Sequence, residues 1–223
     1  MNEMRTITEP VELRDGDDGQ PVAFGYAARF DTLSQNLGGF VERVEPGTFA
    51  KTIVEADVRA LFNHDPNFVL GRNRSGTLRL AEDTEGLAYS IDLPDTTAGR
   101  DVRNLLKRGD VTGSSFGFRT VQQDWSETDD GFPLRTLKAV SLRDVGPVTF
   151  PAYVDSEAGL RSLAEARNLD PIVVIEAARH NTLADLLRAE IDEDGNIQVL
   201  HQPSEAEGTV RNTSPKPTFW WQV

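Results

Sequence analysis

Thr112-Gly113-Ser114-Ser115-Phe116-Gly117-Phe118 is the stretch on which the reading of this chain turns. In an extended strand successive side chains point to opposite faces. Phe116 and Phe118 then share one face, suited to a core, while Ser115, Gly117 and Arg119 share the other. Gly117 presents no side chain beside Ser115, so that face is expected to stay open to an approaching peptide backbone. Arg119 is placed to set positive charge near a developing oxyanion. A serine hydroxyl is a poor nucleophile at neutral pH and needs a base, usually an imidazole. On pattern alone the stretch also reads as an ordinary strand with a solvated serine, which is the commoner case.

The imidazole nearest in chain order lies upstream, in Phe62-Asn63-His64-Asp65-Pro66; the other two, His180 and His201, fall in the C-terminal portion. His64 follows an apolar run at 58–62 and so stands where a strand gives way to a loop, a frequent place for functional side chains. It reads equally as a satisfied loop histidine. A metal site has weak support. The chain has no cysteine, and one histidine would leave carboxylates to supply the remaining zinc ligands. A serine–histidine pair also wants a group that orients the imidazole. Asp144, in Ser141-Leu142-Arg143-Asp144-Val145, is flanked by apolar residues where two strands meet. Asp65 is the local rival, and an ion pair with an arginine is the ordinary alternative for Asp144.

Around these residues the pattern is of short strands separated by turn signals. Residues 22–30 alternate, and 40–44 continue in the same style. Glu45-Pro46-Gly47 is expected to open a short helix running to about Glu55, with Pro46 in its first turn. Strands follow at 58–62, 76–81 and 87–93, the last two joined by the polar, glycine-closed stretch 82–86. Thr96 or Thr97 can cap a helix that carries Val102, Leu105 and Leu106 on one face and ends at Gly109. A strand at 111–121, a turn at Asp129-Asp130-Gly131, and strands at 134–140 and 145–150 complete the series. The class is therefore α+β: a mainly antiparallel, barrel-like or sandwich β core with short flanking helices. Helical patterns at 156–168 and from Asp170-Pro171 through Leu187 follow, broken by Asp192-Glu193-Asp194-Gly195. Residues 203–223 read as a flexible tail, and its Phe219-Trp220-Trp221 end is either a docking peptide or a functionless apolar terminus.

The 223 residues suffice for one good-sized domain with extensions. A net charge of −13 argues against nucleic acid as a partner, since phosphate contacts need basic side chains, and against an anionic membrane surface. No apolar run approaches the roughly 20 residues of a membrane helix, and the first residues lack the apolar stretch of a secretory signal. Without cysteine there is no disulfide and no thiolate nucleophile.

Taken together, Gly25-Tyr26-Ala27-Ala28-Arg29-Phe30, then Phe40-Val41-Glu42-Arg43-Val44-Glu45-Pro46-Gly47-Thr48-Phe49, Leu61-Phe62-Asn63-His64-Asp65, Ser115-Phe116-Gly117-Phe118, Asp144-Val145 and Val148-Thr149-Phe150-Pro151-Ala152-Tyr153 resemble the tailed-phage prohead proteases. The order and spacing match across about residues 20–162. That family is related in fold to the herpesvirus assembly protease. The resemblance implies a serine endopeptidase that cleaves scaffold, or the N-terminal segment of the major capsid protein, inside the assembling procapsid in the bacterial host cytoplasm, and often itself. Carried over, Ser115 is the nucleophile rather than Ser114, because the family serine directly precedes Phe-Gly-Phe, and His64 is the base. Asp144 falls at the family's acidic third position, although Arg143 and Gly146-Pro147 depart from its usual run of small and apolar residues. No cofactor or metal is implied. A homodimer follows by analogy with the herpesvirus relatives. The expected organisation is a flexible segment at 1–20, a protease-like domain at 21–162, a helical extension at 163–202 and a disordered tail at 203–223.

Overall fold

The computed structural model describes residues 2–16, 19–150, 157–188, 190–191 and 197–198. The Pro151-Ala152-Tyr153 motif, the turn at 192–195 and the tail at 203–223 lie outside the described residues. Contacts divide the chain into two compact units, Met1–Leu187 and Arg188–Val223.

In the first unit ten strands form two sheets. One has the order β1 (Glu3–Ile7), β9 (Gly113–Glu127), β10 (Pro133–Val148), β5 (Arg59–Leu61), β6 (Val69–Arg72), with β4 (Val41–Val44) also pairing with β10. The other has the order β2 (Glu12–Asp15), β3 (Pro21–Arg29), β8 (Gly86–Asp92), β7 (Leu78–Glu82). One apolar core takes side chains from both sheets, among them Ala23, Leu87, Ile91, Phe116, Phe118 and Val145. Phe116 stacks on Phe118 and meets the edge of Phe49, so the aromatic alternation of the opening stretch does supply the core face.

The class is α+β as read, but the barrel-like closure is not found. β4 and β5 lie along the same side of β10, both parallel to it, so that sheet branches and runs on to β6 instead of returning to β1. The two runs expected at 134–140 and 145–150 are one 16-residue strand, β10, hydrogen-bonded along its length to β9. The helix expected from Glu45 starts only at α1 (Thr52–Glu55). Gly47 takes φ +92°, and the Thr48 hydroxyl donates to the carbonyls of Glu45 and Leu137, which holds this segment in turns against β10. Helix α2 (Thr97–Arg108) is capped as read: the Thr96 hydroxyl accepts from the Gly99 amide, and Gly109 ends it in a left-handed conformation.

Helices α3 (Glu157–Arg167), α4 (Pro171–Arg179) and α5 (Leu183–Arg188) build a second apolar cluster with Leu37 and Phe40, against which Trp125 packs. Gly159 is needed there, because a Cβ would collide with the Phe40 ring. The helical pattern read as running through Leu187 breaks at Asn181, which takes φ +56°. In the second unit β11 (Glu190–Ile191) pairs antiparallel with β12 (Ile197–Gln198). Among the described residues no helix is long and apolar enough to cross a membrane.

Residues 1–20 were expected to be a loose polar segment, yet they contain β1 and β2. Glu3 and Arg5 of this segment are buried in ion pairs rather than hydrated.

Candidate active site

Strand β9 presents two neighbouring hydroxyls to opposite faces. The Ser114 Oγ lies 2.7 Å from the Tyr89 hydroxyl, a buried contact between the two sheets. Burial pushes the Tyr89 phenol above its ordinary value, an effect the Ser114 hydrogen bond partly offsets. The Ser115 Oγ faces the other way and lies 2.6 Å from His64 Nε2.

His64 reaches this position through an unusual backbone. Asn63 and His64, just past β5, both have left-handed conformations, with φ +53° and +57°. Such conformations are uncommon outside glycine and persist where the surroundings enforce them. Here the enforcement is visible. The Asn63 amide donates to the Pro147 carbonyl, the Asn63 side chain exchanges hydrogen bonds with Thr149, and the Asp65 and Phe62 amides close the turn onto Phe62 and Phe68. Gly146, the residue paired with Ser115, lets β10 come up against β5, since a Cβ on it would collide with the Leu61 carbonyl. The Gly146-Pro147 pair therefore brings the histidine loop alongside the serine strand.

Asp144 is delivered by a change of register. Leu142 pairs with Phe118, but Asp144 pairs with Gly117, which leaves Arg143 as an extra residue on β10. In an unbroken ladder Asp144 would lie opposite Phe116 and face the core; one inserted residue turns it to the opposite face, where Ser115 lies. There Asp144 Oδ1 hydrogen-bonds with His64 Nδ1. The order Asp144–His64–Ser115 is that of a charge-stabilised general base holding a serine.

Three expectations about the surroundings are corrected. Gly117 does not leave an open face beside Ser115. The Asp144 carboxylate fills that space, and a Cβ on Gly117 would collide with it. Ser115 is not solvated either: it is 0% exposed, and its Oγ also lies 2.7 Å from the Arg5 carbonyl oxygen. Arg119 is exposed and does not join these hydrogen bonds. Asp65, the rival orienter, accepts instead from the amide and side chain of Asn67. Among the described residues no group of three or more His, Asp or Glu is placed to hold a metal ion.

A feature that the sequence reading missed lies beneath β1. Glu3 and Arg5 of β1, Glu42 of β4 and Arg135 of β10 form a buried network of ion pairs, each member 8% exposed or less. Burial pushes the Glu3 carboxyl up. The hydrogen bonds and charge of Arg135, helped by Thr120 and Arg5, outweigh it and leave the carboxyl below its ordinary value. Unpaired, such charges would be prohibitively costly to bury; two acids and two bases in contact make the burial tolerable. The Glu3-x-Arg5 spacing, with both side chains on one face of a strand, was the available signal.

No curated protein matches this chain. Among solved structures, the bacteriophage T4 capsid assembly protease is similar at 11% identity and a TM-score of 0.48, over 68% of this chain and 98% of that one. Over residues 9–169, most of the chain and the part that holds His64, Ser115 and Asp144, the sequence matches the model of the caudovirus prohead serine proteases, and this chain belongs to that family.

Proposed function

We propose that the chain is a serine endopeptidase in which Ser115 is the nucleophile, His64 the general base and Asp144 the group that holds the imidazole. Its substrate is an extended segment of a capsid or scaffold protein, cut inside the procapsid, and the chain cuts itself as well. Residues 21–162 carry this chemistry. The supporting observation is the 2.6 Å separation of His64 Nε2 and Ser115 Oγ, within the reach that proton transfer requires.

The steps follow from the atoms. Asp144 accepts the Nδ1 proton of His64 and so leaves Nε2 as the acceptor. Nε2 takes the Ser115 proton while Oγ attacks a peptide carbonyl carbon. The imidazolium, stabilised by Asp144, returns that proton to the leaving amine, and the acyl enzyme is then cleared by water.

The complete burial of Ser115 favours one other reading, an inert assembly component that retains a protease-like domain. Co-expression of the chain with its capsid protein separates the two by intact-mass spectrometry. Shortened capsid or scaffold protein with the native chain, and none with Ser115→Ala, is expected of the enzyme. Absence of processing in both is expected of the inert component.

A further inference from the structure

The row of the sheet that carries Asp144 runs on into two arginines. Asp144 pairs with Gly117 of β9 on one side and with Arg59 of β5 on the other, and Arg59 pairs in turn with Arg72 of β6. Residues paired across strands point to the same face. Val145 and Ala60, the next pair along, point into the apolar core. Arg59 and Arg72 therefore lie on the opposite face, with Asp144, His64 and Ser115. Their side chains are 43% and 42% exposed, and β6 is the edge strand, so the row opens to solvent at its outer end.

One acid serves both arginines. Arg72 grips Asp57 with two bonds, Nε to Oδ1 at 2.7 Å and Nη2 to Oδ2 at 2.6 Å, the strong form of an arginine–carboxylate pair. Arg59 takes what is left. Its Nη1 and Nη2 donate to the Asp57 carbonyl and carboxylate at 3.1 and 3.3 Å, long for bonds that carry charge. The Arg72 hydrogen bonds, working against burial and joined by the charges of Arg59, Arg72 and Arg74, pull the Asp57 carboxyl down to about 2. Asp57 is thus ionised at neutral pH and already occupied. Asp144, the other carboxylate in the row, is bonded to His64. The group keeps a positive surplus in a chain of net charge −13, and the loosely held member is Arg59.

The spacing of the sheet places this charge relative to a bond being cut. Ser115 pairs with Gly146, two pairs along the ladder from Asp144. Arg59 then lies two strands across and two residues along from Ser115, about 10 Å by about 7 Å, or about 12 Å between Cα atoms. An extended peptide advances about 3.3 Å per residue. A side chain that meets Arg59 therefore belongs about two to four residues from the reacting carbonyl. Its direction follows from the proton. The leaving amine receives it from the imidazole, so the segment after the cut bond lies on the His64 side of Ser115. His64 follows directly on β5, the strand that carries Arg59.

We infer that Arg59, backed by Arg72 and Arg74, determines specificity: the peptide to be cut carries an aspartate or glutamate about two to four residues after the bond, and its carboxylate seats on Arg59. Asp57 holds the guanidinium in place and draws it off Asp144, which stays with the imidazole. Three arginines around one acid suit a single carboxylate better than a nucleic-acid backbone, which needs a longer basic surface. This rests on the reading of Ser115 as nucleophile, and the experiment separates the two.

A synthetic peptide library of mixed sequence is incubated with the native chain, and the cut bonds are located by mass spectrometry. Asp and Glu are expected in the second to fourth places after the cut about threefold more often than Asn and Gln, the scale of a partly exposed ion pair. Raising the salt from about 0.1 M to about 1 M is expected to erase most of that preference. In Arg59→Gln it is expected to vanish, and in Arg59→Glu to turn toward Lys and Arg. The readout is the ratio of acidic to neutral peptides cut by each variant, because a merely structural loss lowers both alike. Arg74→Gln, at an exposed position, is expected to weaken the preference in part, and it takes the place of the Arg59 variants if they do not fold. Cutting with no acid preference, or with one confined to residues before the bond, overturns the inference and leaves the nucleophile reading standing. A preference that neither salt nor the arginine variants alter overturns the assignment to Arg59. No cutting by the native chain, or equal cutting by Ser115→Ala, overturns the nucleophile reading and with it the role of Arg59.

Discussion

The Asp144 carboxylate occupies the volume that a side chain on Gly117 would need, two residue pairs along the ladder from Ser115 and on the same face of the sheet. This packing links the glycine of the Ser-Phe-Gly-Phe run to the orientation of the imidazole. Gly117→Ala is expected to displace the carboxylate and lower turnover about a hundredfold or more, as small misplacements at a reacting centre do. Asp144→Asn, which keeps the shape but loses the charge and the correct tautomer, is expected to fall by about 10⁴. Steady-state cleavage of a capsid-derived peptide measures both. Full activity in Gly117→Ala contradicts the packing account.

The two serines of the opening stretch separate into different readouts. Ser115→Ala is expected to abolish processing and leave the folded state intact. Ser114→Ala is expected to keep the activity and to lower stability by about 1–3 kcal/mol, because the buried Tyr89 hydroxyl loses its partner. Urea denaturation beside the processing assay distinguishes them, and equal loss of processing in both variants would point to the wrong hydroxyl.

Arg135 is 1% exposed and touches both Glu3 and Glu42. Its replacement by methionine leaves two buried carboxylates with only Arg5 between them. The expected cost is about 3–5 kcal/mol, the range for breaking a buried ion pair. A chemical-denaturation midpoint unchanged from the native chain would show that the network carries little of the stability.

The Glu3 carboxyl is held below its ordinary value in the folded chain, which fixes the sign of its pH dependence. Its contribution is complete above the unfolded value of about 4.3 and is lost as pH falls through the lower folded value. Acid is therefore expected to weaken the docking of β1. Thermal unfolding followed downward from about pH 6 should show an acid limb in the native chain that is shallower in Glu3→Gln. Superimposable limbs would remove Glu3 from the account.

The aromatic alternation at 116 and 118, the capped helix between Thr96 and Gly109 and the class of the fold were all legible in the sequence, because each rests on short-range periodicity or on a local cap. The His64–Ser115 contact was legible only through ordered motifs, since no local pattern relates residues 51 positions apart. What could not be read depended on register and on long-range pairing of charge. The extra residue at Arg143 is invisible until β10 is laid against β9. The two open sheets were read as a barrel-like closure because strand count says nothing of which edges meet. Residues 1–20 were read as a flexible segment because the partners of Glu3 and Arg5, Glu42 and Arg135, lie on distant strands. Gly117 was taken as room for substrate for the same reason: its true neighbour lies 27 residues further along the chain.

Arg143 makes this site depend on counting more than on composition. No hydrogen bond in the relay uses its side chain, which reaches out to Asn2, so many residue types should serve at that position. Deleting it, however, moves every residue on one side of the gap by one step and turns Asp144 toward Phe116 while every member of the relay is still encoded. A homologue with serine, histidine and aspartate in the right order but one residue fewer between Leu142 and Asp144 would carry the complete set of catalytic letters and spell nothing with them.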